Sequence, residues 1–284
     1  ECCNIELGNK LMNAQKDNPK GFFEDQDVVD LNEDILCELD QQWTLISNNL
    51  NDISEEKWTY FKQKGEFILN QRMLQCGGVF SVKDPRFCRL AKFWFELCEG
   101  LSLEYKVIYL SRAPNEVANS LIIRNNMSVK GSYALWLDYA KSAFIQLSKF
   151  SHVKPLFITL PSYIKNIEKH VYDIAAYLNL SVNTELLTYY KKHFFDKTLL
   201  SKNKVKSIDS PLWKELQHIG SGIEVDFNQL NRLVFLAKTE RKSLEILEGE
   251  VEQIDWHRKK EAESLRRYIL ELQGKLGLLE SGDI

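Results

Sequence analysis

The chain lacks a basic block: no dense Lys/Arg run falls in its first 200 residues, and its net charge is −3. That balance argues against a nucleic-acid partner. It lacks an apolar run of the roughly 18 residues that a membrane span needs. No secretory signal is legible at its N-terminus, so the expected compartment is cytoplasmic. Its six cysteines (2, 3, 37, 76, 88 and 98) form no CxxC pair and have no histidine at zinc-finger spacing. The five histidines (152, 170, 193, 218 and 257) show no metal spacing either, so no metal is expected. GxSxG, HExxH and Walker motifs are all missing.

What is present reads as a soluble globular chain. Its 284 residues are 44% hydrophobic and 27% charged. That is enough for one large domain, or one medium domain with an appendage. Cys37, Cys88 and Cys98 fall in helical apolar patterns and are expected as buried free thiols in a reducing compartment. Cys2 and Cys3 are expected near the surface.

Periodicity sets the elements. From Gln26, Val28, Val29, Leu31, Ile35, Leu36 and Leu39 recur at helical spacing. Ser54 opens a second helix over 54–75, and Gly77-Gly78 stop it. Residues 79–82 read as a short buried strand ending at Lys83-Asp84-Pro85, and 86–98 as helix. Residues 106–110 form a second strand, and Pro114 opens the next helix. Residues 131–150 are an amphipathic helix, 155–160 a third strand, and 161–179 and 183–193 helical. Short apolar strands alternating with helices imply an α/β domain with parallel strands. Ligands of such sheets bind at the strands' carboxyl ends. Lys83 and Arg112 stand at two of those ends.

Three domains follow: residues 1–205 as the α/β body, 206–232 as a linker or peripheral segment, and 233–284 as a coiled coil. Leu244, Val251, Arg258, Leu265, Leu272 and Leu279 recur at sevens, with Leu247, Ile254, Glu261, Tyr268 and Lys275 as the companion row. The coiled coil would join the chain to itself or to a partner.

Three constellations could carry chemistry. Arg112 follows a strand, Ser120 lies in the helix after it, and Arg124 is four residues further on the same face. An arginine fork, a hydroxyl and a second arginine suit a phosphate. Lys83, at a strand end fixed by Pro85, could neutralise charge on a leaving oxygen. In the segment Asn18 to Asp25, Glu24 or Asp25 could act as a base. Asp25 or Asp27 could equally open the following helix as its cap.

These segments resemble the PAPS-dependent sulfotransferases, which move a sulfuryl group from 3′-phosphoadenylyl sulfate (PAPS). An Arg followed by Ser across a strand–helix junction is similar to their 3′-phosphate motif. The second Arg and the Lys-Asp-Pro segment resemble the tyrosylprotein branch. NPKGFFED and KDPR resemble bacterial members acting on glycans. The resemblance runs over roughly residues 5–200. It implies a P-loop-NTPase-like parallel sheet flanked by helices. It implies PAPS as co-substrate, with Arg112, Ser120 and Arg124 holding its 3′-phosphate. It also implies Lys83 and Glu24 as catalytic residues and a glycan or polysaccharide hydroxyl as acceptor. FITLPSY departs from the pattern, since an aromatic-Glu-Asp segment is common there. The Gly/Arg/Ser/Thr-rich phosphate loop of the family does not precede Asn18. The first strand and that loop are expected upstream of residue 1, and this chain is then expected to bind PAPS poorly. The alternative is a non-catalytic sulfotransferase-like module assembling through its coiled coil.

Overall fold

The computed structural model describes residues 2–3, 5–8, 10–14, 21–39, 43–44, 53–194 and 205–247, together with Lys260 and Ser264. It divides into two compact units, Glu1–Glu240 and Arg241–Ile284. The heptad rows from Val251 onward lie outside the described residues, as do Asn18, Pro19 and Lys20.

The fold of the first unit is α/β and mostly helical. Its elements run α1 (Gln26–Glu38), α2 (Glu55–Gln75), α3 (Phe87–Gly100), β1 (Ile108–Ser111), α4 (Pro114–Asn125), α5 (Val129–Lys149), β2 (Leu156–Thr159), α6 (Leu160–Lys165), α7 (Ile167–Leu178) and α8 (Thr184–Tyr189). A π-helical turn (Tyr190–Phe194), α9 (Pro211–Ile219), β3 (Ser221–Glu224) and α10 (Phe227–Leu247, of which residues 227–240 belong to this unit) follow.

Caps set the helix starts. Asp25 accepts from the Asp27 and Val28 amides at the head of α1. Ser54 accepts from Lys57 N–H before α2, and Ser128 from Gly131 N–H before α5. Each such cap contributes about 1 kcal/mol. Pro114 sits in the first turn of α4, where its missing N–H costs nothing.

One core cluster joins α1, α2 and α3 through Leu31, Ile35, Phe61, Leu69, Phe93 and Trp94. The apolar stripe of α1 does the expected work: Val28, Val29, Leu31, Ile35 and Leu36 are all buried. Cys37 is exposed, correcting its expected burial. It falls on the outward side of the same helix.

The sheet has three strands in the order β1-β2-β3. β1 and β2 are parallel, in register from Ile108 opposite Leu156 to Ser111 opposite Thr159. α4 and α5 make the crossover between them. β3 is antiparallel to β2, so the sheet is mixed. Residues 206–232, expected as a linker or peripheral segment, hold α9, β3 and the start of α10. The expected strand at 79–82 is only a single bridge, Phe80 parallel to Glu6. No helix among the described residues is long and apolar enough to cross a membrane.

Candidate functional site

The N-terminal stretch fixes the site. Glu6 bridges Phe80, and Ser81 N–H donates to the Glu6 carbonyl at 2.8 Å. A few residues on, Leu11 bridges Asp25 in the antiparallel sense. Met12 N–H donates to the Glu24 carbonyl at 2.8 Å, and Gln26 N–H to Lys10 at 2.9 Å. Residues 5–8 and 10–12 therefore clip two distant loops, the one that carries Lys83 and the one that carries Glu24.

The clip brings those two side chains together. Lys83 Nζ lies 2.5 Å from Glu24 Oε1 and donates to the Phe22 carbonyl at 3.2 Å. The Lys83 side chain is 49% exposed and that of Glu24 only 7%. Arg86 stands on the other side, its Nη1 3.7 Å from Glu24 Oε2. Arg86 also holds Glu33 at 2.5 Å and Asp84 at 2.9 Å. Burial works against the Arg86 charge, but Asp84 and Glu33 outweigh it and raise its pKa.

Asp84 anchors the loop. Pro85 keeps Asp84 out of the helical region. The Asp84 carboxylate accepts from Asn32 Nδ2 at 2.8 Å and from Arg86 N–H at 2.8 Å. Asn32 in turn accepts from Trp94 Nε1 at 2.8 Å. A chain of buried hydrogen bonds thus ties the loop to α1 and α3. Sequence reasoning missed Asn32, Arg86 and Trp94 as supports. The only legible signal was the Asp-Pro-Arg run itself.

Asp25 separates from Glu24. It caps α1, is 2% exposed and forms a two-toothed ion pair with Arg72. Arg72 also holds Asp27 at 2.6 Å. With both oxygens committed and no access to solvent, Asp25 is structural. Glu24 is the carboxylate beside a reachable cation. Between α1 and α2, a groove of about 610 Å³ is lined by Asp27, Asp30, Tyr60, Gln63, Phe67 and Gln71, among others.

The second constellation lies at the carboxyl end of β1. Arg112 follows Ser111 directly, and its Nε donates to Glu116 Oε2 at 3.0 Å. Trp136 Nε1 donates to the Arg112 carbonyl at 3.1 Å and fixes the backbone there. Ser120 is half-buried on α4. Arg124 is exposed, stacks over Trp43 at 5.1 Å and donates to Asn125 Oδ1 at 2.8 Å. Glu116, Ser120 and Arg124 recur at fours along one ridge of α4. The ten steps from Pro114 to Arg124 span about 15 Å of helix. Arg112 and Arg124 are therefore held at opposite ends of α4 by separate partners.

Among the described residues no group of three or more His, Cys, Asp or Glu side chains could hold a metal ion. No protein-family model matches this chain, and the search of curated proteins and the search of solved structures each yield no match.

Proposed function

We propose that the chain is the body of a PAPS-dependent sulfotransferase with a P-loop-like frame, acting on a glycan or polysaccharide hydroxyl. The observation that carries this reading is the Lys83–Glu24 contact. Two residues singled out separately, one for the leaving group and one as base, share one site although 59 positions apart. Random placement of two such residues would rarely join them.

The chemistry follows from their types. Glu24 takes the acceptor's hydroxyl proton as that oxygen bonds to sulfur. The bond from sulfur to the 5′-phosphate oxygen breaks, and Lys83 stabilises the charge left there. An ammonium has three N–H donors. Glu24 and Phe22 use two of them here. Arg112 and Ser120 hold the 3′-phosphate at the carboxyl end of β1; Arg124, at the far end of α4 on Trp43, stands apart from that contact. The parallel β1–β2 pair and the uncapped start of α4 support an anion at that edge.

Calorimetry with adenosine 3′,5′-bisphosphate tests the reading, on protein expressed from the full reading frame. Binding that Arg112→Ala abolishes is the expected result. No binding, or binding untouched by that substitution, overturns it.

A second reading is a non-catalytic module that assembles through its coiled coil. The pairing of Arg112 with Glu116 and of Arg124 with Trp43 favours it, since both arginines already have partners within the chain. Sedimentation of the chain with and without residues 234–284 tests that assembly. A monomer in both cases rules it out.

A further inference from the structure

A second set of reactive groups lies at the end of β2, remote in sequence from Lys83 and Glu24. β2 ends at Thr159, and Ser162 stands in the first turn of α6 directly after it. α7 carries His170 and Asp173, three residues apart and so on one helix face. Ser162 Oγ lies 2.8 Å from His170 Nε2. The other ring nitrogen, Nδ1, lies 3.2 Å from Asp173 Oδ2. It is buried and has no aligned hydrogen bond. His170 is 1% exposed, while Ser162 is half-buried. The ring is thus shielded from water, while Ser162 is partly exposed.

β3 closes the back of this set. A Cβ on Gly222 would fall 2.2 Å from Asp173 Oδ2 and 3.0 Å from His170 Nδ1. Gly222 also has φ +85°, a conformation that other residues rarely adopt. Only glycine leaves space there for the carboxylate and ring to face each other. Lys169 Nζ donates to the same Asp173 oxygen at 2.6 Å and to the Ser221 carbonyl at 2.9 Å. The carboxylate is therefore held in place from the strand side.

We propose that Ser162, His170 and Asp173 form a nucleophile–base–carboxylate relay that attacks carboxylic esters, an activity separate from sulfuryl transfer. The order of contacts is the one that chemistry needs: hydroxyl to ring nitrogen, opposite ring nitrogen to carboxylate. His170 Nε2 takes the Ser162 proton as Oγ bonds to the ester carbon. The ester C–O bond then breaks, and the imidazolium returns the proton to the leaving alcohol. Water, deprotonated by the same nitrogen, releases the acid and restores Ser162. The net change is ester plus water to acid plus alcohol. Asp173 orients the ring and stabilises the imidazolium. Burial, aided by the Lys169 charge, lowers the His170 pKa against the pull of Asp173 and of the Ser162 backbone carbonyl. The ring is then neutral near pH 7, the state a base requires. Catalytic hydrogen bonds in an empty site are often poorly aligned and tighten on binding. The Nδ1–Oδ2 contact fits that pattern.

A fluorophosphonate probe tests the relay, because its phosphorus takes the serine oxygen and loses fluoride. The expected product is one adduct, mapped to Ser162 by peptide mass spectrometry. Asp173→Asn should slow labelling at least tenfold, and His170→Gln should abolish it, with circular dichroism unchanged. Hydrolysis of p-nitrophenyl acetate should fall in step. Absence of a Ser162 adduct overturns the proposal, and so does equal labelling in His170→Gln. Should the buried His170 variant fail to fold, Ser162→Ala decides: esterase turnover equal to the parent's overturns the relay, and loss of it sustains the relay. None of these measurements depends on PAPS, so they stand apart from the sulfotransferase reading.

Discussion

Lys83 Nζ meets Glu24 Oε1 at 2.5 Å, although the two residues sit on different loops. Neither loop is part of a regular strand. Their meeting depends on the N-terminal residues 5–8 and 10–12, which bridge Phe80 through Glu6 and Asp25 through Leu11. The ion pair is half in water on the lysine side and buried on the carboxylate side. Such a pair can open toward a ligand while its carboxylate stays shielded.

If the pair is the reacting site, its two members should fail in different ways. Glu24→Gln removes the base and should lower kcat for sulfuryl transfer by about 10²–10⁴-fold. Lys83→Ala should lower kcat by about 10²–10³-fold through loss of leaving-group stabilisation. Steady-state kinetics with PAPS and an oligosaccharide acceptor check both. A change confined to KM in either variant would assign that residue to binding alone.

Much of this frame is legible in sequence, and the reasons are local. Asp25, Ser54 and Pro114 announce helix starts because a cap or a first-turn proline acts on its own neighbours. β1 and β2 are apolar runs and show as strands. β3 is Ser-Gly-Ile-Glu, with no pattern of its own; it is a strand because the free edge of β2 takes its backbone. Residues 79–82 have strand composition but only one bridging partner, so composition alone misleads there. At the site, Lys83 and Glu24 are visible one at a time. Their contact, and the part played by Arg72, rest on pairings 59 and 47 residues apart. No local signal carries those.

Arg72 is the test of that long-range pairing. It is 3% exposed and holds Asp25 and Asp27 at once. Arg72→Met leaves the Asp25 carboxylate buried without its partner. Loss of one member of a buried pair costs about 3–5 kcal/mol, and urea unfolding should show a loss of that size. The Asp27 carboxyl adds an acid limb. Burial pushes its pKa up, but hydrogen bonds from Lys10 and Arg72 outweigh that and lower it below the usual value of 3.8. Its contribution is present above that value and is lost as pH falls through the lower folded-state pKa. Lys10→Ala should therefore flatten the fall in stability at acid pH.

Glu240 gives a pH dependence of opposite sign. Burial pushes its carboxyl up to about 7, although the Leu212 N–H it accepts at 2.9 Å pulls the other way. Its other oxygen is buried without a hydrogen bond. In the unfolded chain the group ionises near 4.5. Between those two values the folded state holds more protons than the unfolded, so stability falls as pH rises. Glu240→Gln keeps an acceptor for Leu212 and removes the titration. Its Tm should exceed the parent's at pH 8 and converge with it near pH 4. Parallel curves at all pH values would contradict the assignment.

The sharpest test of the β1 edge is a substitution expected to help. Glu116 sits one turn above Arg112 and takes its Nε at 3.0 Å. A bound 3′-phosphate would need that same fork, so Glu116 competes with it and also repels it. Glu116→Gln removes the negative charge and keeps the shape. A partly exposed ion pair is worth about 0.2–1 kcal/mol, so the gain in affinity for adenosine 3′,5′-bisphosphate should be about 1.4- to five-fold. Calorimetry reads it directly. The gain should vanish in the double variant Glu116→Gln/Arg112→Ala, because the benefit comes from freeing Arg112. A gain that survives removal of Arg112 would mean that the anion binds elsewhere and that Glu116 acts on it only through distant charge.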